Sequence, residues 1–211
     1  MTDPLLLVDS DVFVLLAAAD LLDSFAESVG IAPANIRRLP ALPYQIDRGR
    51  SLRKQFSVEA LGKARMACDR YQSIEFGPDN LDRVTRFQQV PLIDDGEALL
   101  FSLLCEQPLS LLTTGDKRAL IALAGAKSLS ADRQLLRGRI VSLEAALLRL
   151  VKHLGAEEVG RRFCPLWTTH ATVEVIFGHK AAFDDSECLR QLTSYLGDLI
   201  RQVGSDLFRP D

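Results

Sequence analysis

Residues 5–12 read LLLVDSDV, and the fold turns on them. Leu5 to Val8 form an unbroken apolar run without alternation, the pattern of a strand buried on both faces in a central parallel sheet. Asp9 then stands at the carboxyl end of that strand. From residue 12 to residue 25 the apolar side chains recur at helical spacing, and Ser10 or Asp11 is placed to cap the helix. Strand, acid, helix is the opening of a parallel α/β unit, whose ligands gather at the carboxyl edge of the sheet.

A related pattern returns further along. Asp94-Asp95-Gly96-Glu97 opens the apolar segment ALLFSLLCEQ, and acids in a first turn suit the positive end of a helix dipole. Pro108 stops that helix, residues 109–112 read as a second short buried strand, and Thr113-Thr114-Gly115-Asp116 leads into a helix over 117–125. Residues 140–143 supply a third strand, followed by a helix over 144–154 closed by Gly155. Residues 58–71 are helical, Gly77-Pro78-Asp79-Asn80 is a turn, and residues 80–93 fit either helix or strand. Residues 156–211 are helical, with helices over 168–177 and 186–203. The expectation is an α/β fold with a three-layer α/β/α body around a central parallel sheet over 1–155, and a helical C-terminal extension over 156–211 packed on it.

Within that body, residues 30–56 differ in texture. Pro33, Pro40, Pro43 and Gly49 interrupt them, while Arg37, Arg38, Arg48, Arg50, Arg53 and Lys54 are opposed only by Asp47. This is a basic, loop-rich insertion, and Arg48, Arg50, Arg53 and Lys54 are its candidates for gripping an RNA backbone. A charge run is also the ordinary composition of a solvated face.

Bulk properties narrow the class. The 211 residues carry 25 Lys plus Arg against 28 Asp plus Glu, a net charge of −3, so any nucleic-acid contact must be local. Cys68, Cys105, Cys164 and Cys188 form no C-x-x-C pair, which argues against a zinc knot and for small buried thiols in a reducing, cytoplasmic setting. The apolar N-terminus lacks a basic start and is broken by Asp9, Asp11, Asp20 and Asp23, so neither a signal peptide nor a membrane span is expected. His170 and His179, nine residues apart without a third ligand, read as packing residues.

Carboxylates that follow buried strands or open helices can converge at one sheet edge, where their repulsion calls for a cation. Mg2+ or Mn2+ suits such oxygen donors and can activate water for phosphodiester hydrolysis. Each acid also suits an ordinary helix cap.

LLLVDSDV, DDGEALLFSLL and LSLLTTGDKRAL, in that order, resemble the successive acidic motifs of PIN-domain nucleases, and GRIVSLEAALLRLVKHLG resembles the family's last strand and helix. The resemblance spans residues 5–150. It implies a PIN-like fold and a metal-dependent ribonuclease in which Asp9, Glu97 and Asp116 hold Mg2+ or Mn2+, with Thr114 as the threonine of a T-x-D pattern. Many members carry a fourth acid after that aspartate, where this chain has Lys117 and Arg118, leaving Asp95 or Asp11 to supply it. The family also implies RNA as substrate and, for a toxin-antitoxin pair, an antitoxin-like protein partner; a homodimer is equally open. Two other functions fit the motifs. One is a degenerate PIN-like domain that binds RNA or protein without cutting. The other is a haloacid dehalogenase-like phosphatase with Asp9 as nucleophile and Asp11 as acid/base, although its later motifs would come in a different order.

Overall fold

A short parallel sheet organises the chain in the computed structural model, which describes residues 3–77, 80–178 and 182–210. Its strands are β1 (Leu6–Val8), β2 (Ile36–Arg38), β3 (Leu111–Thr114) and β4 (Ile140–Ser142), in the spatial order β2-β1-β3-β4. Every pairing is parallel, with Leu6 opposite Leu111 and Leu112 opposite Ile140.

Because successive side chains point to opposite faces, the sheet feeds two cores. Leu6, Val8, Leu111 and Val141 join one, and Leu7, Leu112 and Ile140 the other. On the first face lie α1 (Ser10–Ala18), α2 (Leu22–Ser28), α3 (Leu42–Arg48), α4 (Arg50–Gln55), α5 (Val58–Arg70) and α10 (Leu143–Leu154). On the second lie α6 (Leu81–Gln88), α7 (Asp95–Glu106), α8 (Lys117–Gly125) and α9 (Ser130–Leu136). The architecture is thus α/β with helices on both faces of a parallel sheet. Helix α1 is buried from Val12 through Ala18, which is why its sequence is apolar nearly all round.

The tail forms α11 (Ala156–Phe163), a 3-10 segment (Cys164–Thr169), α12 (Ala171–Phe177) and α13 (Asp185–Val203). Gly155 turns the chain between α10 and α11 at φ 84°, a conformation that costs glycine little. Helix α13 lies along α10 and reaches both cores, giving Cys188 and Leu192 to one and Leu199 and Val203 to the other. Beyond it, Phe208 bridges in parallel to Ile140, and Ile140 N donates to Leu207 O at 3.1 Å.

Several sequence expectations need correction. The stretch whose composition predicts a loop-rich insertion contains β2, α3 and α4, so part of it is sheet. The second expected strand lies two residues later than its apolar run, at Leu111–Thr114, because buried Thr113 and Thr114 complete it. Residues 81–88 are helix, and the helix expected over 168–177 begins at Ala171 after the 3-10 segment. Cys164 is exposed, unlike the other three cysteines. Pro78 and Asp79 of the expected turn, and His179, lie outside the described residues. Among those described, no helix is long and apolar enough to cross a membrane.

Candidate metal centre

In the order β2-β1-β3-β4 the chain leaves β1 toward β2 on one side and continues to β3 on the other, so the crevice between the carboxyl ends of β1 and β3 is the topological switch point. A cavity of about 750 Å³ opens there. Asp9, Asp11, Asp94, Glu97 and Asp116 all line it.

Each acid is positioned by local backbone chemistry. Asp9 caps α1: its Oδ1 accepts from Ser10 N at 2.7 Å, while its own N–H continues the ladder to Thr113 O at 3.0 Å. Its Oδ2 accepts from the Thr114 hydroxyl at 3.1 Å. The same Thr114 oxygen accepts from Asp116 N at 3.1 Å, so one side chain ties the end of β1 to the turn after β3. Asp116 caps α8, its Oδ1 accepting from Arg118 N at 2.8 Å and Ala119 N at 3.0 Å. Asp94 and Glu97 form a reciprocal capping box, in which Glu97 Oε2 accepts from Asp94 N at 2.9 Å and Asp94 Oδ1 accepts from Glu97 N at 2.8 Å. Capping and cavity lining are therefore combined in the same residues.

Their electrostatics reflect crowding, offset at Asp116 by Arg118, whose Nη2 lies 3.4 Å from Oδ2. Burial pushes the Asp9 carboxyl up to about 7, helped by the charge of Asp11 and, more weakly, of Asp94. Burial likewise pushes Glu97 up to about 8, with Asp94, Asp116 and Asp9 adding repulsion. Asp11 is raised by burial and then by Asp116 and Asp94. Asp9, Asp11, Asp94 and Asp116 thus each add to the repulsion felt by a neighbour. Among the described residues, however, no three His, Cys, Asp or Glu side chains are posed to close on one ion.

The chain matches no family model, no characterised protein and no solved structure. What the cavity can do must therefore be read from its own residues. Asp95, expected to help, turns away: its Oδ1 accepts from Gln88 Nε2 at 2.7 Å on the exposed side of α7, and Asp94 lines the cavity in its place. The capping-box spacing D-x-x-E in DDGE was the signal that could have singled out Asp94. Of the candidate RNA-gripping residues only Arg50 lines the cavity. Arg48 and Lys54 are exposed elsewhere, and Arg53 is hydrogen-bonded to Asp47 O.

The remaining wall comes from segments whose role the sequence left open. Arg50, Ser51 and Gln55 of α4 line it, as do His170 and Thr172 of the tail. Gln55 Nε2 donates to Thr169 O at 3.1 Å and so joins the two. His170 was expected only to pack. Instead it faces the cavity, its Nδ1 accepting from Thr172 N at 3.2 Å and its pKa lowered by burial. Lys117 also lines the cavity, with its Nζ 2.7 Å from Oε1 of the buried Glu144. That contact is an ion pair without hydrogen-bond alignment, since Glu144 Oε1 has no hydrogen-bond partner.

Proposed function

We propose that the protein is a metal-dependent ribonuclease of PIN-like type. The observation that carries this reading is the gathering of Asp9, Glu97 and Asp116, from three separated segments, around one cavity at the switch point of a parallel sheet. An all-oxygen donor set of crowded carboxylates, two of them pushed toward neutral pH, has the chemistry that a hard divalent cation relieves. Asp9, Glu97 and Asp116 would hold Mg2+ or Mn2+, with Asp94 and Asp11 acting through water, and the ion would polarise a phosphodiester and acidify bound water. The chain's own contribution is orientation. Thr114 fixes Asp9 and the turn of Asp116 together, and the capping box holds Glu97 against rotation.

Calorimetry of Mn2+ binding to the wild type and to Asp116→Asn, followed by RNA cleavage with both, tests the reading. Binding and metal-dependent cleavage in the wild type that both vanish in the variant support it. A wild type that binds no Mn2+ at millimolar concentration reduces the acids to caps.

A binding module without activity is the second reading. It is favoured by the absence, among the described residues, of three ligands posed on one point. A phosphatase with Asp9 as nucleophile and Asp11 as acid/base is separated by Asp11→Asn, which abolishes such an enzyme and leaves the nuclease partly active.

A further inference from the structure

Five carboxylates make the cavity hostile to an anion, so an anionic substrate needs cations or hydrogen-bond donors at fixed places in it. Lys117 is held in such a place. Glu144, only 1% exposed in its side chain, lies in the first turn of α10 just after β4 and sets an oxygen 2.7 Å from Lys117 Nζ, and the ammonium also lies 5.9 Å from the centre of the Tyr195 ring on α13. The Lys117 side chain nevertheless remains 42% exposed and lines the cavity. With only the carboxylate buried, the pair adds little to stability, but it holds the ammonium beside the start of α10. His170 stands in the same electrostatic neighbourhood, within reach of the charges of both Glu144 and Lys117. Its Nδ1 accepts from Thr172 N, which leaves Nε2 as the N–H of the neutral ring.

We propose that Lys117, fixed by Glu144 and Tyr195, forms with His170 the subsite that holds the nonbridging phosphate oxygens of an RNA strand beside the carboxylates. The substrate class rests on the ribonuclease reading, while the subsite rests on the geometry of the lysine and histidine. The tail thereby contributes His170, the N-cap of α12, to substrate recognition and Tyr195 of α13 to the placement of Lys117, both outside the span of the family resemblance.

The test is fluorescence anisotropy with a fluorescein-labelled short single-stranded RNA of mixed sequence in Ca2+, on wild type, Lys117→Met and Lys117→Arg. Because Lys117→Met strands a buried carboxylate, the double variant Lys117→Met/Glu144→Gln repeats the measurement with the pair neutralised. Loss of the ammonium should weaken binding about tenfold, the equivalent of about 1.4 kcal/mol. It should also flatten the logarithmic salt dependence by about 0.7, the signature of one lost phosphate contact on a single strand. Lys117→Arg should retain the wild-type slope.

A wild type that binds no RNA, or folded variants with wild-type affinity and slope, overturns the subsite. Mn2+ calorimetry on the same proteins separates the two readings. Lysine-dependent RNA binding in a wild type that takes no Mn2+ sinks hydrolysis and leaves the subsite standing. Cleavage by the wild type with unchanged RNA binding in the variants sinks the subsite alone.

Discussion

Glu97 is 6% exposed, and that burial, with the charges of Asp94, Asp116 and Asp9 added, makes its carboxyl costly to ionise. Its pKa rises from an ordinary 4.5 to about 8, so below pH 4.5 folded and unfolded chains both hold the proton. Between those values the unfolded chain releases a proton that the folded one keeps, and stability falls as pH rises, with the loss complete above about 8. Thermal unfolding in EDTA should therefore show a melting temperature that declines from pH 5 to pH 9. Glu97→Gln, which can still accept from Asp94 N, should flatten that decline and raise the melting temperature at pH 8.5 by about 2–6 °C. A variant no more stable than the wild type at that pH means that Glu97 ionises without strain. Residue by residue, Asp9, Glu97 and Asp116 were legible because each sits at an element boundary that the apolar pattern marks. Asp94 and Asp95 were exchanged because one step around a helix start changes a side chain's direction, and sequence alone locates the first residue of a helix loosely. His170 had no motif to announce it; only the path of the tail brings it to the cavity.

Helices α6 and α9 are joined by a buried carboxylate. Asp132, 5% exposed, lies 3.1 Å from Arg83 Nε and 3.2 Å from Arg86 Nη2, and Arg83 also reaches Glu106 of α7 at 3.1 Å. Asp132→Ala removes the acceptor that holds both guanidinium groups against the helix pair, and because the arginines stay partly exposed the loss should be about 1.5–3 kcal/mol, the range for hydrogen bonds to charged groups. Urea unfolding measures it, and a change under about 1 kcal/mol would mean the arginines find water equally good partners. The long helices were readable from their spacing, and so was the strand at β1, because an apolar run without alternation has few other fates. Strand β2 was not. Its three residues, Ile36-Arg37-Arg38, include two arginines, and only pairing with β1 defines them as strand. Those arginines, grouped by sequence with an RNA-gripping stretch, serve the backbone instead. Arg38 donates to the carbonyls of Cys68 and Tyr71 at the end of α5, and Arg37 to those of Ala34 and Ile36.

On the scale of the whole molecule, the tail completes cores that the first 155 residues leave open. Phe163, Val173, Ile176 and Leu192 pack into one face, and Leu199, Val203 and Leu207 into the other. A chain ending at Gly155 should lose the cooperative unfolding transition seen with the full chain and bind a dye for exposed apolar surface, as circular dichroism and fluorescence would register. A sharp transition in the truncated chain would make the tail an accessory. The α/β alternation was legible because strands and helices differ in period, but which surfaces the tail covers is a matter of long-range packing that no local pattern records. The sheet has one more property at this scale. On its β2 side, Arg38 N donates to Gln72 O and Ile74 N to Arg38 O, while Ile36 N–H bonds to Pro33 O and its carbonyl accepts from Arg37. On its β4 side, Arg209 N donates to Ile140 O and Ile140 N to Leu207 O. The outward peptide groups that a visiting strand would have to capture at Ile36, Arg38 and Ile140 are already committed within the chain. Recognition by β-augmentation is thereby closed off at those positions, and a protein that binds this one there must read its side chains instead of extending its sheet.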